Sequence, residues 1–163
     1  MRLQRFVAAA LVAGCVACAT QGIAQLQVGA SQEELAQIMG PATGRYTMPD
    51  GRTRLEYATG PYGRMTWMVD LDAAGRVARA EQVLSEASFM TIGPGQSRDE
   101  VLRQIGRPGQ RVGMRGDGQI WSWRYPTNDC LWYQVSFDVQ GTVISAGYGP
   151  DPACDMNTGF RRR

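Results

Sequence analysis

Two residue types are missing from this chain. It has no histidine, and its 17 basic residues are all arginine, with no lysine. Without histidine, Ser-His and Cys-His nucleophile pairs cannot form, and neither can imidazole-ligated metal sites. The glycine patterns that cradle phosphates, G-x-x-x-x-G-K-[ST] and G-x-G-x-x-G, are absent as well. Ser97 follows a glycine as Gly95-x-Ser97 but lacks the second glycine of a nucleophile elbow, so it reads as a helix cap. Two carboxylate pairs remain, Asp70 with Asp72 and Asp99 with Glu100. They read as a solvated strand face and an acidic first helical turn, not as acid/base machinery. The expectation is a non-enzyme with no cofactor, no metal and no small-molecule substrate. Charge of one sign is lacking too. Setting aside Arg2 and Arg5 near the start leaves 17 − 2 = 15 basic against 15 acidic residues. A neutral balance gives no electrostatic reason to expect nucleic acid. The absence of lysine reads as a genomic bias.

What is present is a sentence written twice. Leu26-x-x-Gly29-x-Ser31-x-x-Glu34-Leu35 returns as Ile92-x-x-Gly95-x-Ser97-x-x-Glu100-Val101. The offset is 66 (95 − 29, 97 − 31, 100 − 34), and it recurs where Asp72-x-x-Gly75-x-Val77 answers Asp138-x-x-Gly141-x-Val143. In the middle, Asp50-Gly51 is answered by Asp117-Gly118, which reads as a one-residue insertion. A period this long is too large for a solenoid unit and fits two copies of one small domain. Each copy alone would be marginally stable, so the two are expected to pack together.

Each copy opens with a legible helix. Ser31 and Ser97 are N-caps with glutamate three residues on, the capping-box pattern. Gly40-Pro41, and Gly106 with Pro108, are C-terminal stops. The period then changes from helical to alternating. Thr53, Leu55 and Tyr57 share a face, as do Trp121, Trp123 and Tyr125; Met65, Trp67, Val69 and Leu71 are matched by Tyr133, Val135, Phe137 and Val139. Tight turns at Asp72–Gly75 and Asp138–Gly141 lead to a third strand. The fold class read from this is α+β: two tandem repeats, each a short helix followed by a three-stranded antiparallel meander, with room for a short leading strand near Tyr46 or Val112. The expected domains are a signal peptide (1–14), a tether (15–25), a first repeat (26–87), a second repeat (88–152) and a frayed tail (153–163).

The N-terminus carries an address. Arg2 and Arg5 precede a short apolar run, Phe6 to Ala13, which is too brief to span a bilayer. It ends in Val12-Ala13-Gly14-Cys15, which resembles the bacterial lipobox. In that signal the cysteine becomes the acylated N-terminus, and several acyl chains anchor stably where one would not. Valine at position 16, not aspartate, favours the outer membrane by the sorting rule of that signal. The alternative is plain secretion to the periplasm by cleavage at Ala17-Cys18-Ala19 or Gly22-Ile23-Ala24. Cys15 and Cys18 also have C-x-x-C spacing, but nothing completes a metal site. Cys130 and Cys154 are expected to form a structural disulfide in an oxidising compartment. Closing that separation (154 − 130 = 24) stabilises by about 3 kcal/mol in the chain-entropy model.

The order of these features — lipobox, G-x-S-x-x-E-V/L, helix, Gly-Pro stop, D-G, aromatic strand, D-x-x-G-x-V — resembles the BamE (SmpA/OmlA) family of small outer-membrane lipoproteins. The matching residues are Gly95, Ser97, Glu100, Val101, Gly106, Pro108, Asp138, Gly141 and Val143, with their first-copy counterparts. The resemblance implies a periplasmic accessory protein, lipid-anchored to the outer membrane, that accompanies the β-barrel assembly machinery. The family member best known for this role has one such domain, whereas this chain has two, and the matched residues are caps, turns and core positions that imply a fold and no contact site. The tandem layout also resembles the β-lactamase inhibitory protein, which makes a periplasmic binding module or enzyme inhibitor the alternative function. A structural lipoprotein touching lipid or peptidoglycan is a third, and Arg161, Arg162 and Arg163 could meet anionic headgroups.

Five aromatics crowd the second copy: Trp121, Trp123, Tyr125, Trp132 and Tyr133. Alternation turns Trp132 away from Tyr133. Trp132 is therefore expected to be exposed and, with Arg124, to contribute to a partner-binding surface, since interfaces enrich aromatics and arginine. On that reading Trp132→Ala leaves folding intact.

Overall fold

The computed structural model describes residue 23 and residues 26–155. The signal peptide, the lipidation position Cys15, nearly all of the tether and the arginine run lie outside the described residues.

The helix α1 (Gln32–Met39) begins where the capping box places it: Glu34 N–H donates to the Ser31 hydroxyl, and Ser31 N–H donates to the Glu34 carboxylate at 2.7 Å. It ends at Gly40, whose φ of 75° lies in the left-handed region that favours glycine. Four strands follow as a meander: β1 (Gly44–Thr47), β2 (Thr53–Ala58), β3 (Thr66–Leu71) and β4 (Val77–Gln82), each antiparallel to the next. A short helix α2 (Glu86–Phe89) leads to α3 (Arg98–Ile105), which repeats the capping box with Ser97 and Glu100. A second meander then runs through β5 (Gln110–Gly113), β6 (Gln119–Arg124), β7 (Leu131–Phe137) and β8 (Val143–Pro150), and a turn of helix α4 (Pro152–Asp155) closes the described chain.

The architecture is α+β with two four-stranded antiparallel sheets, which corrects the expected three strands per copy. The additional strands β1 and β5 were only a marginal reading in the sequence because they are short and largely exposed, so they carry little hydrophobic pattern. They exist because they pair with the well-patterned β2 and β6 in equivalent registers, Gly44 opposite Glu56 and Gln110 opposite Ser122. The second copy also has two helices ahead of its strands, not one. The inferred insertion is corrected as well. Met48 N–H donates to Arg52 C=O, and Met114 N–H donates to Gly118 C=O, so both hairpins close at the same offset of 66. Gly51 (φ 81°) is matched in place by Asp117 (φ 64°), and the repeated D-G dipeptide has merely moved along an unchanged loop.

The sheets bury different faces. Leu55, Tyr57, Val69, Leu71 and Val77 pack under α1 through Leu35. Trp121, Trp123, Val135, Phe137 and Val143 pack under α3 through Val101 and Ile105. Leu84, Phe89 and Ile92 belong to this second core, so the segment between β4 and α3 is built into the second repeat. The opposite face of the first sheet, expected to be solvated, is buried as well: Glu56, Thr66, Met68 and Asp70 are all inaccessible. The end of α3 lies on it, with Arg107 N–H donating to Glu56 at 3.2 Å and Arg54 donating to Arg103 C=O at 2.9 Å. The layers are therefore helix, sheet, helix, sheet. No helix among the described residues is long and apolar enough to cross a membrane.

Candidate binding surfaces

The two copies are fastened at two places. In the interface, Asp70 takes a two-pronged ion pair from Arg54 at 2.5 and 2.8 Å, not the solvated strand face expected of it. Burial of both groups makes this pair costly to break. Beside it Glu56 accepts from the Tyr46 hydroxyl, from Thr43 and from the Arg107 backbone. Burial first, and then the bond to the Glu56 carboxylate and its charge, hold the Tyr46 phenol far above its ordinary pKa. Asp72, by contrast, accepts from Ala74 and Arg76 N–H groups and fixes a turn.

The second fastening is centred on Arg124. Its guanidinium forms a fork with Asp151 at 2.6 and 2.7 Å and reaches Pro61 C=O of the first copy at 3.0 Å. It also stands 5.3 Å from the ring centre of Tyr62 and 5.2 Å from that of Trp132, a cation between two aromatics. Arg64 adds a bond to Thr127 C=O. The structure thus brings Arg124 and Trp132 together, but not as a surface. Trp132 is only 5% exposed, which corrects the expectation that it faces a partner. The reason lies in the repeat. Trp132 holds the place of Thr66 (132 − 66), on the face that receives the other copy in the first sheet. In the second sheet Trp132 covers that face itself, beneath Arg124 and opposite Gly149. Trp132→Ala is accordingly expected to destabilise the fold by about 3–5 kcal/mol, read as a lower midpoint in urea. An unchanged midpoint would restore the surface reading.

The expected disulfide is not formed here: Cys130 and Cys154 are free thiols. They are nevertheless neighbours. A hydrogen bond with Cys130, then burial and the charges of Cys130 and Asp151, push the Cys154 thiol up to about 11. A thiol so held is a poor nucleophile. Asp151 N–H donates to Cys130 C=O, and Cys154 N–H donates to Asp151 C=O, which keeps the pair in place. Exposure to a disulfide donor at mildly alkaline pH is expected to join the two thiols. Mass spectrometry would show the loss of two hydrogens and a linked peptide; two thiols still alkylated after oxidation would exclude it.

Tyr62, Arg64, Asp151 and Glu56 were missed by sequence reasoning. A signal for Glu56 was available: it is one of the polar strand positions at which the copies differ, with serine at 122. Exposed apolar side chains include Tyr62 (77% exposed), Met90, Tyr148, Ile144 and Val28. A mainly apolar hollow, a notch of about 140 Å³, lies at the end of the first core, lined by Met39, Tyr57, Ala58, Met65 and Trp67 among others. Larger hollows are open and lined with polar and charged groups, as at Glu34, Gln37 and Arg76. Among the described residues, no three His, Cys, Asp or Glu side chains converge as a metal site would require.

No protein family and no curated protein matches the sequence. Two solved structures are similar in part. One, a Streptococcus mutans protein proposed to be a beta-lactamase inhibitor protein, is 14% identical over 80% of this chain and 94% of its own, with a TM-score of 0.32. The other, a Bacillus anthracis extracellular protein containing an SCP domain, is 11% identical over 93% of this chain, with a TM-score of 0.30; the match covers half of that protein.

Proposed function

We propose that this chain is a non-enzymatic accessory protein, held by lipid at Cys15 to the periplasmic face of the outer membrane. It acts by protein-protein contact in outer-membrane protein assembly or envelope integrity. The observation that carries the contact role is the partly exposed Trp67 in the wall of an apolar notch; Tyr62, in the β2–β3 loop, is exposed as well. Aromatics seated in apolar hollows supply much of the affinity at protein interfaces. The polar groups of the inter-repeat face and of the Arg124 cluster are spent on one another, which leaves them to hold the lobes together. The anchor and its compartment are supported by the run ending in Cys15, and the assembly role by the repeated motif order.

A photo-crosslinking residue at Tyr62, in cells of the native host, tests this reading. Recovery of barrel-assembly components supports it, while capture of a single soluble enzyme would replace it with the inhibitor reading. Mass spectrometry of the mature N-terminus tests the anchor: an unmodified chain starting at Thr20 or Gln25 would remove it.

A further inference from the structure

The duplication supplies its own template for the notch over Trp67. In the second copy the equivalent place is filled. Phe89, at the end of α2, stacks on Tyr133 with ring centres 4.1 Å apart and planes 6° from parallel. It also meets Tyr125 edge-on at 5.2 Å, and the Tyr133 hydroxyl donates to Phe89 C=O at 3.0 Å. Such geometries contribute beyond the area buried. Subtracting 66 gives the first-copy counterparts: Trp67 for Tyr133, Thr59 for Tyr125, Gln82 for Tyr148 and Ile23 for Phe89. The backbone follows the same plan, since Leu26 N–H donates to Ile23 C=O at 3.1 Å as Ile92 N–H does to Phe89 C=O at 3.1 Å.

The platform ring therefore survives in the first copy while the rings that close over it do not. Isoleucine and threonine are smaller than the phenylalanine and tyrosine they replace, and Gln82 is occupied in bonding to Leu84. What is left is the 140 Å³ notch, with Trp67 partly exposed in its wall. The size is informative: an apolar cavity of about 150 Å³ holds one benzene. One phenyl ring is the natural occupant.

We propose that this notch is a docking site for a partner protein segment that presents a phenylalanine-like side chain from a short turn, seated on Trp67 as Phe89 sits on Tyr133. The proposal rests on the contact role above and specifies the chemistry of the partner. The occupied duplicate in the same chain is what favours a peptide-borne ring over a lipid or a polar ligand. Recognition combines ring stacking with apolar walls from Met39 and Met65, whose flexible thioether side chains adapt to an incoming ring.

The test is calorimetric titration of the full chain with a synthetic peptide of residues 84–92, which carries Phe89, and with the same peptide bearing F89A. Saturable binding is expected, weakened about tenfold or more by F89A and by Trp67→Ala in the protein. Thr59→Tyr, which supplies the ring that the second copy has at Tyr125, is expected to abolish binding and covers the case in which Trp67→Ala does not fold. Absence of binding, or binding indifferent to these changes, overturns the proposal. Binding that arises only in an Ile23→Ala protein also overturns it, because the occupant is then the chain's own lead-in. Peptide binding without any crosslinked partner in the envelope would leave the site standing and remove the proposed role. A captured partner without peptide binding would do the reverse.

Discussion

Replacing Arg124 by alanine is expected to lower the unfolding free energy by about 3–5 kcal/mol, the range found when one partner of a buried ion pair is removed. Asp151 is buried, and Arg124 supplies both prongs of its fork, at 2.6 and 2.7 Å. The same truncation uncovers Trp132 and releases Pro61 C=O, so the first copy loses a tie to the second. Lysine at this position restores a charge but not the planar fork and stack, and recovers only part of the loss. Acid separates the electrostatic part from packing. Hydrogen bonds from Arg124 hold the Asp151 carboxyl below the usual carboxylate range. A group whose pKa is depressed by folding contributes stability that is complete above its unfolded pKa, about 3.9 for aspartate, and is lost as pH falls below that through the folded value. The gap between wild type and Arg124→Ala in urea should therefore narrow as pH falls below about 4. A gap unchanged by acid would mean that the arginine stabilises by packing alone.

The sequence made each copy legible for a local reason. Caps at Ser31 and Ser97, left-handed stops at Gly40 and Gly106, and turn glycines at Gly75 and Gly141 act within a few residues of themselves, so they recur wherever the chain repeats. What lies between copies is not local. Polar residues alternating along β2 and β3 ordinarily signal water on one side. Here that side meets another lobe, and Glu56, Asp70 and Arg54 are polar because they pair across or within the junction. Trp132 was misplaced by the same logic in reverse. Its facing away from Tyr133 was read correctly, yet a strand face turned away from one core can be closed by its own neighbours. The useful signal lay in the differences between copies. Core positions keep their character at the offset of 66, whereas the opposite face changes from Arg54, Glu56, Thr66, Met68 and Asp70 to Ile120, Ser122, Trp132, Gln134 and Ser136. One face receives the other repeat, and the equivalent face of the second sheet is covered by its own side chains. A single copy carries no such contrast, which is why the junction is invisible in either half read alone.

A pair of glycine substitutions turns that asymmetry into a measurement. Gly40 and Gly106 end equivalent helices with nearly the same backbone, φ 75° and 76°. Alanine at either is forced into a positive-φ, extended-ψ conformation that essentially only glycine adopts, a strain of about 1–3 kcal/mol. A Cβ at Gly40 meets nothing within 4 Å, whereas one at Gly106 stands 2.9 Å from Thr66 Cγ2, 3.1 Å from Glu56 Cδ and 3.2 Å from Met68 Cε. Gly106 cannot back away, because its carbonyl accepts from the Trp123 indole at 3.1 Å on the other side. Overfilling a close-packed junction costs about 1–3 kcal/mol. Gly106→Ala is therefore expected to destabilise by that much more than Gly40→Ala, with the excess appearing as a lower midpoint in denaturant. Thr66→Ser removes the methyl that the new Cβ would strike, and it should recover part of the loss in the Gly106→Ala protein. Equal effects at the two glycines would mean that the lobes part freely at this seam, and the buried ionic network around Glu56 and Asp70 would then have to hold them without close packing.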